Sequence, residues 1–132
     1  MNFFEICEIL EADVLAGKEY LDREVSAGCA SDLMSDVLAY GQTNSILLTG
    51  LATAQVIYTV EMAGNQAVCF VRGKKPPKEA IALAKKKKFV LLATPLPMFE
   101  ACGRLFEKGL KRSFVPLNGN SGKPRNRAPR RK

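Results

Sequence analysis

A chain of 132 residues with 47% apolar residues is long enough for one domain with a buried core and too short for two. The net charge of +7 is concentrated at one end, because six of the 20 basic residues lie at 123–132, which leaves 14 basic against 13 acidic residues elsewhere. The chain has no histidine, which removes the commonest general base and a common metal ligand, and this argues against an enzyme and a metal site.

The sequence contains no signal for a membrane. No apolar run approaches the roughly 20 residues that a spanning helix needs, and residues 1–10 carry two glutamates and no basic residue. We therefore expect neither a membrane span nor a signal peptide, and a cytoplasmic protein.

The four cysteines are scattered along the chain. Cys7, Cys29, Cys69 and Cys102 lie in or beside apolar segments and form no C-x-x-C pair. This pattern favours buried thiols over a disulfide or a metal-binding set, and no cofactor is predicted.

The amino-terminal part predicts a helix followed by two short strands. Residues 2–11 begin with Asn2, a good helix cap, and place apolar residues at helical spacing, which indicates an amphipathic helix. Short strands are predicted at 13–17 and within 21–28. We expect them to extend the sheet or to form a small hairpin at one end.

A second short helix is predicted at 33–38, with Ser31 or Asp32 as its cap. Its apolar residues share one helical face: Leu33, Val37 and Leu38.

The centre of the chain has the pattern strand, helix, strand. Residues 45–51 and 67–73 are apolar runs that are too short for helices, whereas residues 53–63 are long enough for about three helical turns. This pattern predicts a parallel crossover unit, whose strands are buried on both faces. Four residues of the helix are expected to face the sheet: Ala54, Ile57, Tyr58 and Met62.

The same alternation continues in the second half. Pro76-Pro77 precede a helix that closes at the lysine run 85–88, residues 89–93 form another buried strand, and a last helix ends at Gly109. We expect that last helix to have one apolar face, made of Phe99, Cys102, Leu105 and Phe106.

The alternation of strands and helices predicts one layered α/β domain at residues 1–112. Residues 113–132 are predicted to be a basic, disordered tail, in which only residues 114–117 have the apolar side chains needed to pack.

Three turns at the carboxyl ends of the predicted strands form the candidate site: Thr49-Gly50, Arg72-Gly73 and Thr94-Pro95. In open parallel sheets, ligands bind at this edge, where turns lead into helix N-termini with free backbone amides. The hydroxyls, the glycines and the Arg72 guanidinium suit a carboxylate or phosphate group. The alternative is that each glycine only turns the chain and each threonine only caps a helix, and no P-loop motif decides between the two.

Other polar groups also have two interpretations. Asp22, Arg23, Ser31 and Asp32 are either a solvated, hydrogen-bonded corner or part of a site. The lysines at 85–88 suit a solvated helix C-terminus. The tail is either a salt-sensitive binder of polyanions or a solubilising segment. None of these groups supplies a paired acid and base, so an enzyme is the least favoured class.

Several segments, in this order and at this spacing, resemble stand-alone DRTGG-domain proteins. They are LDREVSAG at 21–28, ASDLMSDV at 30–37, the Arg72-Gly73 turn and TPLPMFEACGRL at 94–105. The resemblance runs from about residue 4 to about residue 110, which is nearly all of the predicted domain.

This resemblance implies a three-layer α/β/α fold with a mostly parallel central sheet. Such a fold is similar to the N-terminal domain of bacterial HPr kinase and, more distantly, to the nucleotide-binding N-terminal domain of Mur ligases. The resemblance also implies a regulatory module in an anaerobic bacterium, associated with iron hydrogenase genes, and it carries over no catalytic residue. Ser31-Asp32 lies where Mur-type domains have a nucleotide-contacting turn, and Arg72-Gly73-Lys74 replaces the Thr-Gly-Gly of many relatives.

The sequence therefore predicts a non-catalytic, ligand-sensing module that forms a homodimer and binds a small, anionic, nucleotide-like ligand. The alternatives are a protein-interaction or assembly subunit and weak nucleic-acid binding through the tail. The predicted ligand-binding residues are Thr49, Gly50, Arg72, Gly73, Thr94, Ser31 and Asp32.

Overall fold

The computed structural model describes residues 1–40 and 43–112. Over these residues the helices are α1 (Phe3–Leu10), α2 (Met34–Tyr40), α3 (Ala54–Met62), α4 (Lys78–Lys86) and α5 (Met98–Glu107). The strands are β1 (Asp13–Ala16), β2 (Ala27–Ala30), β3 (Ser45–Thr49), β4 (Ala67–Phe70), β5 (Val90–Ala93) and β6 (Lys111–Arg112). The predictions for 113–132, a disordered basic tail and packing at 114–117, lie outside the described residues.

The strands form one sheet in the order β1-β5-β4-β3-β2-β6. β6, β2, β3, β4 and β5 pair in parallel, and only β1 is antiparallel to its neighbour β5. The predicted crossover unit is confirmed, because β3 and β4 are adjacent and pair Leu47 with Val68 and Leu48 with Cys69.

The two early strands extend the sheet, but the predicted alternative of a small hairpin is wrong. β1 lies at one edge beside β5, whereas β2 lies on the far side between β3 and β6. The physical reason is that both edges of β2 are paired, one with β3 and the other with β6, while β1 pairs with β5 at the opposite edge of the sheet.

The helices cover the sheet in two layers, which confirms the predicted three-layer α/β/α fold. α2, α3 and α4 each connect neighbouring parallel strands in the same direction, and they pack side by side on one face. α5 returns the chain from β5 to the opposite edge, and it packs with α1 on the other face. Right-handed crossovers require this change of face when the direction reverses.

The strands are buried on both faces, as predicted for a parallel sheet. On β3, Leu47 packs into the core beneath α2, α3 and α4, whereas Ile46 and Leu48 pack into the core beneath α1 and α5. β4 alternates in the same way, with Val68 on the first side and Cys69 on the second.

The predicted buried faces of three helices need correction. On α3 the residues that are buried are Val56, Ile57, Thr59 and Val60, while Tyr58 and Met62 are exposed. On α2, Val37 is buried but Leu38 is exposed, and so is Leu33, which lies just before the helix. On α5, Ala101 and Leu105 are buried but Phe99 and Phe106 are exposed. In α3, two apolar stripes satisfy helical periodicity, and α2 and α4 on either side select the buried one.

The first helix follows its sequence signals closely. The Asn2 side chain accepts a hydrogen bond from the Glu5 N–H at 3.0 Å, and the Glu5 carboxylate accepts one from the Asn2 N–H at 3.1 Å. This reciprocal cap fixes the start of α1. None of the helices in the described part of the chain is long and apolar enough to cross a membrane.

Candidate functional site

The predicted turns gather at the carboxyl edge of the sheet, where β2, β3, β4 and β5 end. The helix that follows β4 packs on one face, whereas the helix that follows β5 packs on the other. In doubly wound sheets, the adjacent strand ends from which the chain departs to opposite faces form a crevice where ligands bind. Here that point lies between the Arg72-Gly73 turn and the Thr94-Pro95 turn.

Asp32 joins the end of β2 to the end of β3. Its Oδ1 accepts a hydrogen bond from the Gly50 N–H at 2.7 Å and another from the Thr49 hydroxyl at 2.9 Å. The Thr49 oxygen also accepts from the Leu51 N–H at 3.1 Å. The exposed Asp32 carboxylate therefore holds the turn that follows β3, and two predicted residues, Thr49 and Gly50, are its direct partners.

Ser31 organises the start of α2. Its N–H donates to the Leu48 carbonyl at 3.1 Å, and its hydroxyl oxygen accepts from the Leu33 N–H at 3.0 Å. Of the two predicted caps, Ser31 therefore bonds the backbone that leads into α2, which leaves Asp32 to bridge to β3.

Arg72 lies above the same turn. Its Nη2 lies so close to Gly50 that a Cβ atom added there would be 2.6 Å away. The Arg72 backbone has a left-handed φ of 59°, which non-glycine residues rarely adopt, and its N–H donates to the Leu96 carbonyl at 2.8 Å. Among the described residues, the exposed Arg72 guanidinium has no hydrogen bond and no ion pair.

Gly73 and Thr94 join the turns after β4 and β5. The Gly73 N–H donates to the Thr94 carbonyl at 3.0 Å, and Gly73 has a φ of 67°. The Thr94 side chain is buried; its hydroxyl donates to the Leu10 carbonyl at the end of α1 and accepts from the Leu96 N–H at 3.2 Å. The Thr94 hydroxyl is thus engaged with the protein.

The amides of these turns are also engaged. The N–H groups of Gly50, Leu51, Arg72 and Gly73 each bond to an oxygen of the protein. An anion at this edge would therefore be recognised mainly by side-chain charge. Sequence reasoning omitted two cations here, the exposed Lys74 and Lys75, although the basic run that begins at Arg72 was a usable signal.

A groove between β2 and α5 opens beside this edge, and the sequence did not predict it. Its volume is about 350 Å³. It is lined by Gly28, Cys29, Ala30, Leu48, Phe99, Cys102, Gly103, Leu105, Phe106, Leu110, Lys111 and Arg112. Sequence reasoning missed the groove because it assigned Phe99 and Phe106 to the core.

All four cysteines were predicted to be buried, but only Cys69 is; Cys7, Cys29 and Cys102 are half-buried. Desolvation raises the pKa of Cys69 to about 12, and burial also raises the pKa of the half-buried Cys7, Cys29 and Cys102. All four are free thiols. Within residues 1–40 and 43–112, no three His, Cys, Asp or Glu side chains are grouped in a way that could hold a metal ion.

Arg23, which the sequence analysis grouped with Asp22, Ser31 and Asp32, contacts the protein away from this edge. Its guanidinium lies 3.8 Å from the centre of the Tyr20 ring and donates to the Lys88 carbonyl at 3.2 Å. Lys88 follows α4, at the opposite end of β5 from Thr94, so Arg23 does not belong to the carboxyl edge.

The fold and this edge define a doubly wound α/β/α domain with a cationic turn near its topological switch point.

No protein-family model and no curated protein matches the chain. Among solved structures, the chain is similar to the CBS and DRTGG domains of the regulatory region of Clostridium perfringens pyrophosphatase, which was crystallised with its activator, diadenosine tetraphosphate. The TM-score is 0.64 at 20% sequence identity. The match covers 90% of this chain and 51% of the other, so the chain spans about half the length of that regulatory region. The likeness shows a DRTGG-like fold.

Proposed function

We propose that this domain is a regulatory, ligand-sensing module that binds a small, anionic, nucleotide-like ligand at the carboxyl edge of its sheet. The residues that we assign to the site are Ser31, Asp32, Thr49, Gly50, Arg72, Gly73 and Thr94.

The observation that carries the proposal is the Arg72 guanidinium. It is an exposed cation held above the Gly50 turn, and among the described residues nothing pairs with it. A guanidinium forms bidentate, charge-assisted hydrogen bonds with carboxylate and phosphate groups. Lys74 and Lys75 add positive charge next to it in the chain, which favours a ligand with more than one negative charge.

The other residues have positioning roles in this proposal. Asp32 and Thr49 fix the Gly50 turn, so that Gly50, without a side chain, leaves room for the guanidinium. Thr94 and Gly73 tie the turn after β4 to the turn after β5. A left-handed residue such as Arg72 costs about 1–3 kcal/mol of strain and persists where its surroundings hold it.

The structural neighbour supports the regulatory part of the proposal. That protein is a regulatory region with a nucleotide activator, and its fold is similar to the fold of this chain. We extend the ligand class, a nucleotide-like anion, from that protein to this chain, and we place the protein in the cytoplasm as a non-catalytic module.

The test is isothermal titration calorimetry of the full chain with ATP and with tripolyphosphate. Arg72→Ala is expected to weaken binding about tenfold or more, because a hydrogen bond to a charged group contributes about 1.5–3 kcal/mol. Lys86→Ala removes an exposed cation from the far end of α4, and it serves as the matched charge control. Equal loss in both variants, or no binding of either anion to the wild type, would contradict the proposal.

We also propose that the module is a homodimer, formed through α2 and α3. These helices contact each other, and the exposed apolar side chains on this surface include Leu38, Tyr58 and Met62, with Leu33 just before α2. Light scattering after size exclusion is expected to give a dimer for the wild type and a monomer for Met62→Glu. Phe4→Glu, at an exposed phenylalanine on α1, is the control that should remain dimeric.

A further inference from the structure

The groove between β2 and α5 has the size and the lining of a small-molecule site. Its volume of about 350 Å³ lies in the range of ligand pockets, roughly 300–1,000 Å³, which are mostly apolar. On the face that α5 covers, β2 contributes the small residues Gly28 and Ala30, beside Leu48 of β3. The Leu110 side chain fills the space over Gly28, so the room between the sheet and α5 lies toward Ala30.

An aromatic ring at the groove is unused by the core. Phe99 lies in the first turn of α5 and is 91% exposed, although it lines the groove. Ala101 and Leu105 supply the buried contacts of the same helix. A nearly free phenyl ring next to an apolar groove is a surface on which a flat, apolar group can stack.

The groove begins next to the charged turn. Ala30, at one end of its floor, lies two residues before Asp32. Leu96, whose carbonyl binds the Arg72 N–H at 2.8 Å, lies three residues before Phe99. At about 3.3–3.6 Å per residue, Ala30 lies within about 7 Å of Asp32, and Phe99 lies within about 11 Å of Leu96.

From this continuity we infer that the groove receives the planar, apolar part of the same anionic ligand whose phosphates contact Arg72. The inference rests on the proposed function and narrows its ligand class. A nucleobase with its phosphates has both parts, whereas inorganic polyphosphate has only the charged part. The site is therefore bipartite: the Gly50 turn with Arg72 binds charge, and the groove with Phe99 binds the base.

The test compares binding of the four ribonucleoside triphosphates with binding of tripolyphosphate by calorimetry. At least one nucleotide is expected to bind wild type about tenfold more tightly than tripolyphosphate, because its base can stack on the aromatic side chain. Phe99→Ala should erase that advantage and leave tripolyphosphate binding unchanged. Phe4→Ala, which removes another exposed phenylalanine on α1, should behave as wild type.

Alkylation of the native thiols gives a second measurement. Cys102 lines the groove, whereas the half-buried Cys7 does not and is the internal control. The tightest nucleotide should slow alkylation of Cys102 several-fold without affecting Cys7, and tripolyphosphate should slow neither. Protection of Cys102 that needs no ligand and rises with protein concentration would show that a second copy covers the groove, and it would overturn the inference.

The two proposals fail in different ways. If nucleotides and tripolyphosphate bind equally and Arg72→Ala weakens both, the groove inference is wrong and the anion site stands. If neither class of anion binds, the proposed function is wrong and the groove inference fails with it.

Discussion

The substitution Gly50→Ala separates ligand binding from folding. Gly50 does not have a left-handed backbone, so alanine fits its conformation. The added methyl group would lie 2.6 Å from Nη2 of Arg72, where ordinary contact requires about 3.5 Å. The guanidinium must therefore move by about 1 Å from its place above the turn.

The effect on folding should be small. Replacing glycine by alanine at a compatible site stabilises a protein by about 0.4–1 kcal/mol, because the unfolded chain loses conformational freedom. The displaced group is the free end of an exposed side chain that makes no hydrogen bond with the described residues. The free energy of unfolding in urea should therefore stay within about 1 kcal/mol of wild type.

The effect on binding should be large. Displacement of the guanidinium is expected to weaken binding of ATP and tripolyphosphate about tenfold or more, close to the effect of Arg72→Ala. The double variant should be no weaker than Arg72→Ala alone, because both changes remove one interaction. Wild-type affinity in a stably folded Gly50→Ala protein would refute the assigned role of Arg72, and unfolding of the variant would refute the stability argument.

Three further predictions concern stability. Asp32→Ala should lower the free energy of unfolding in urea by about 1–2 kcal/mol, because it removes the acceptor for the Gly50 N–H. Asp32→Asn keeps an acceptor oxygen and should lower the free energy of unfolding by less than half of that amount. Thr94→Val should lower the free energy of unfolding by about 1–3 kcal/mol, because it removes the hydroxyl that bonds to the Leu10 carbonyl. Thr53→Val should leave stability unchanged or raise it, because the buried Thr53 hydroxyl has no partner among the described residues. Equal losses of stability in the two variants would contradict this reasoning. Burial raises the pKa of Cys69 in the folded protein from 9.0 to about 12, so above about pH 9 the unfolded chain loses this proton more readily than the folded protein does. The contribution of Cys69 to the free energy of unfolding is therefore complete below about pH 9, and it falls by up to about 1.4 kcal/mol per pH unit above that. In urea titrations at alkaline pH, Cys69→Ala should lose stability less steeply than wild type.

The alternation of short apolar runs and helical segments was sufficient to predict a layered, parallel α/β domain. Runs such as Ile46-Leu47-Leu48 are apolar on both faces, and a parallel sheet between two helical layers buries both faces of its strands. The turn residues were also predictable, because strands that are parallel bring their carboxyl ends to one edge.

The roles of those turn residues were not predictable from their spacing. Thr49 and Thr94 look equivalent in the sequence, since each follows a buried strand. In the structure, the Thr49 hydroxyl bonds Asp32 at the surface-facing turn, whereas the Thr94 hydroxyl bonds the Leu10 carbonyl inside the core. Such long-range partners depend on how separate segments pack.

The sequence by itself determined the five helices, the first five strands and which strand ends meet, because hydrophobic period, caps and crossover handedness are local or topological constraints. It did not predict the two-residue strand β6, which forms only because β2 pairs with it. Only the tertiary structure decided which side of each helix is buried. Phe99 and Phe106 fit an apolar stripe as well as Ala101 and Leu105 do, but the small residues of β2 and the position of α5 bury the second pair and leave a groove beside the first. A periodic pattern specifies the spacing of a helical face, and the direction of that face depends on what packs against it.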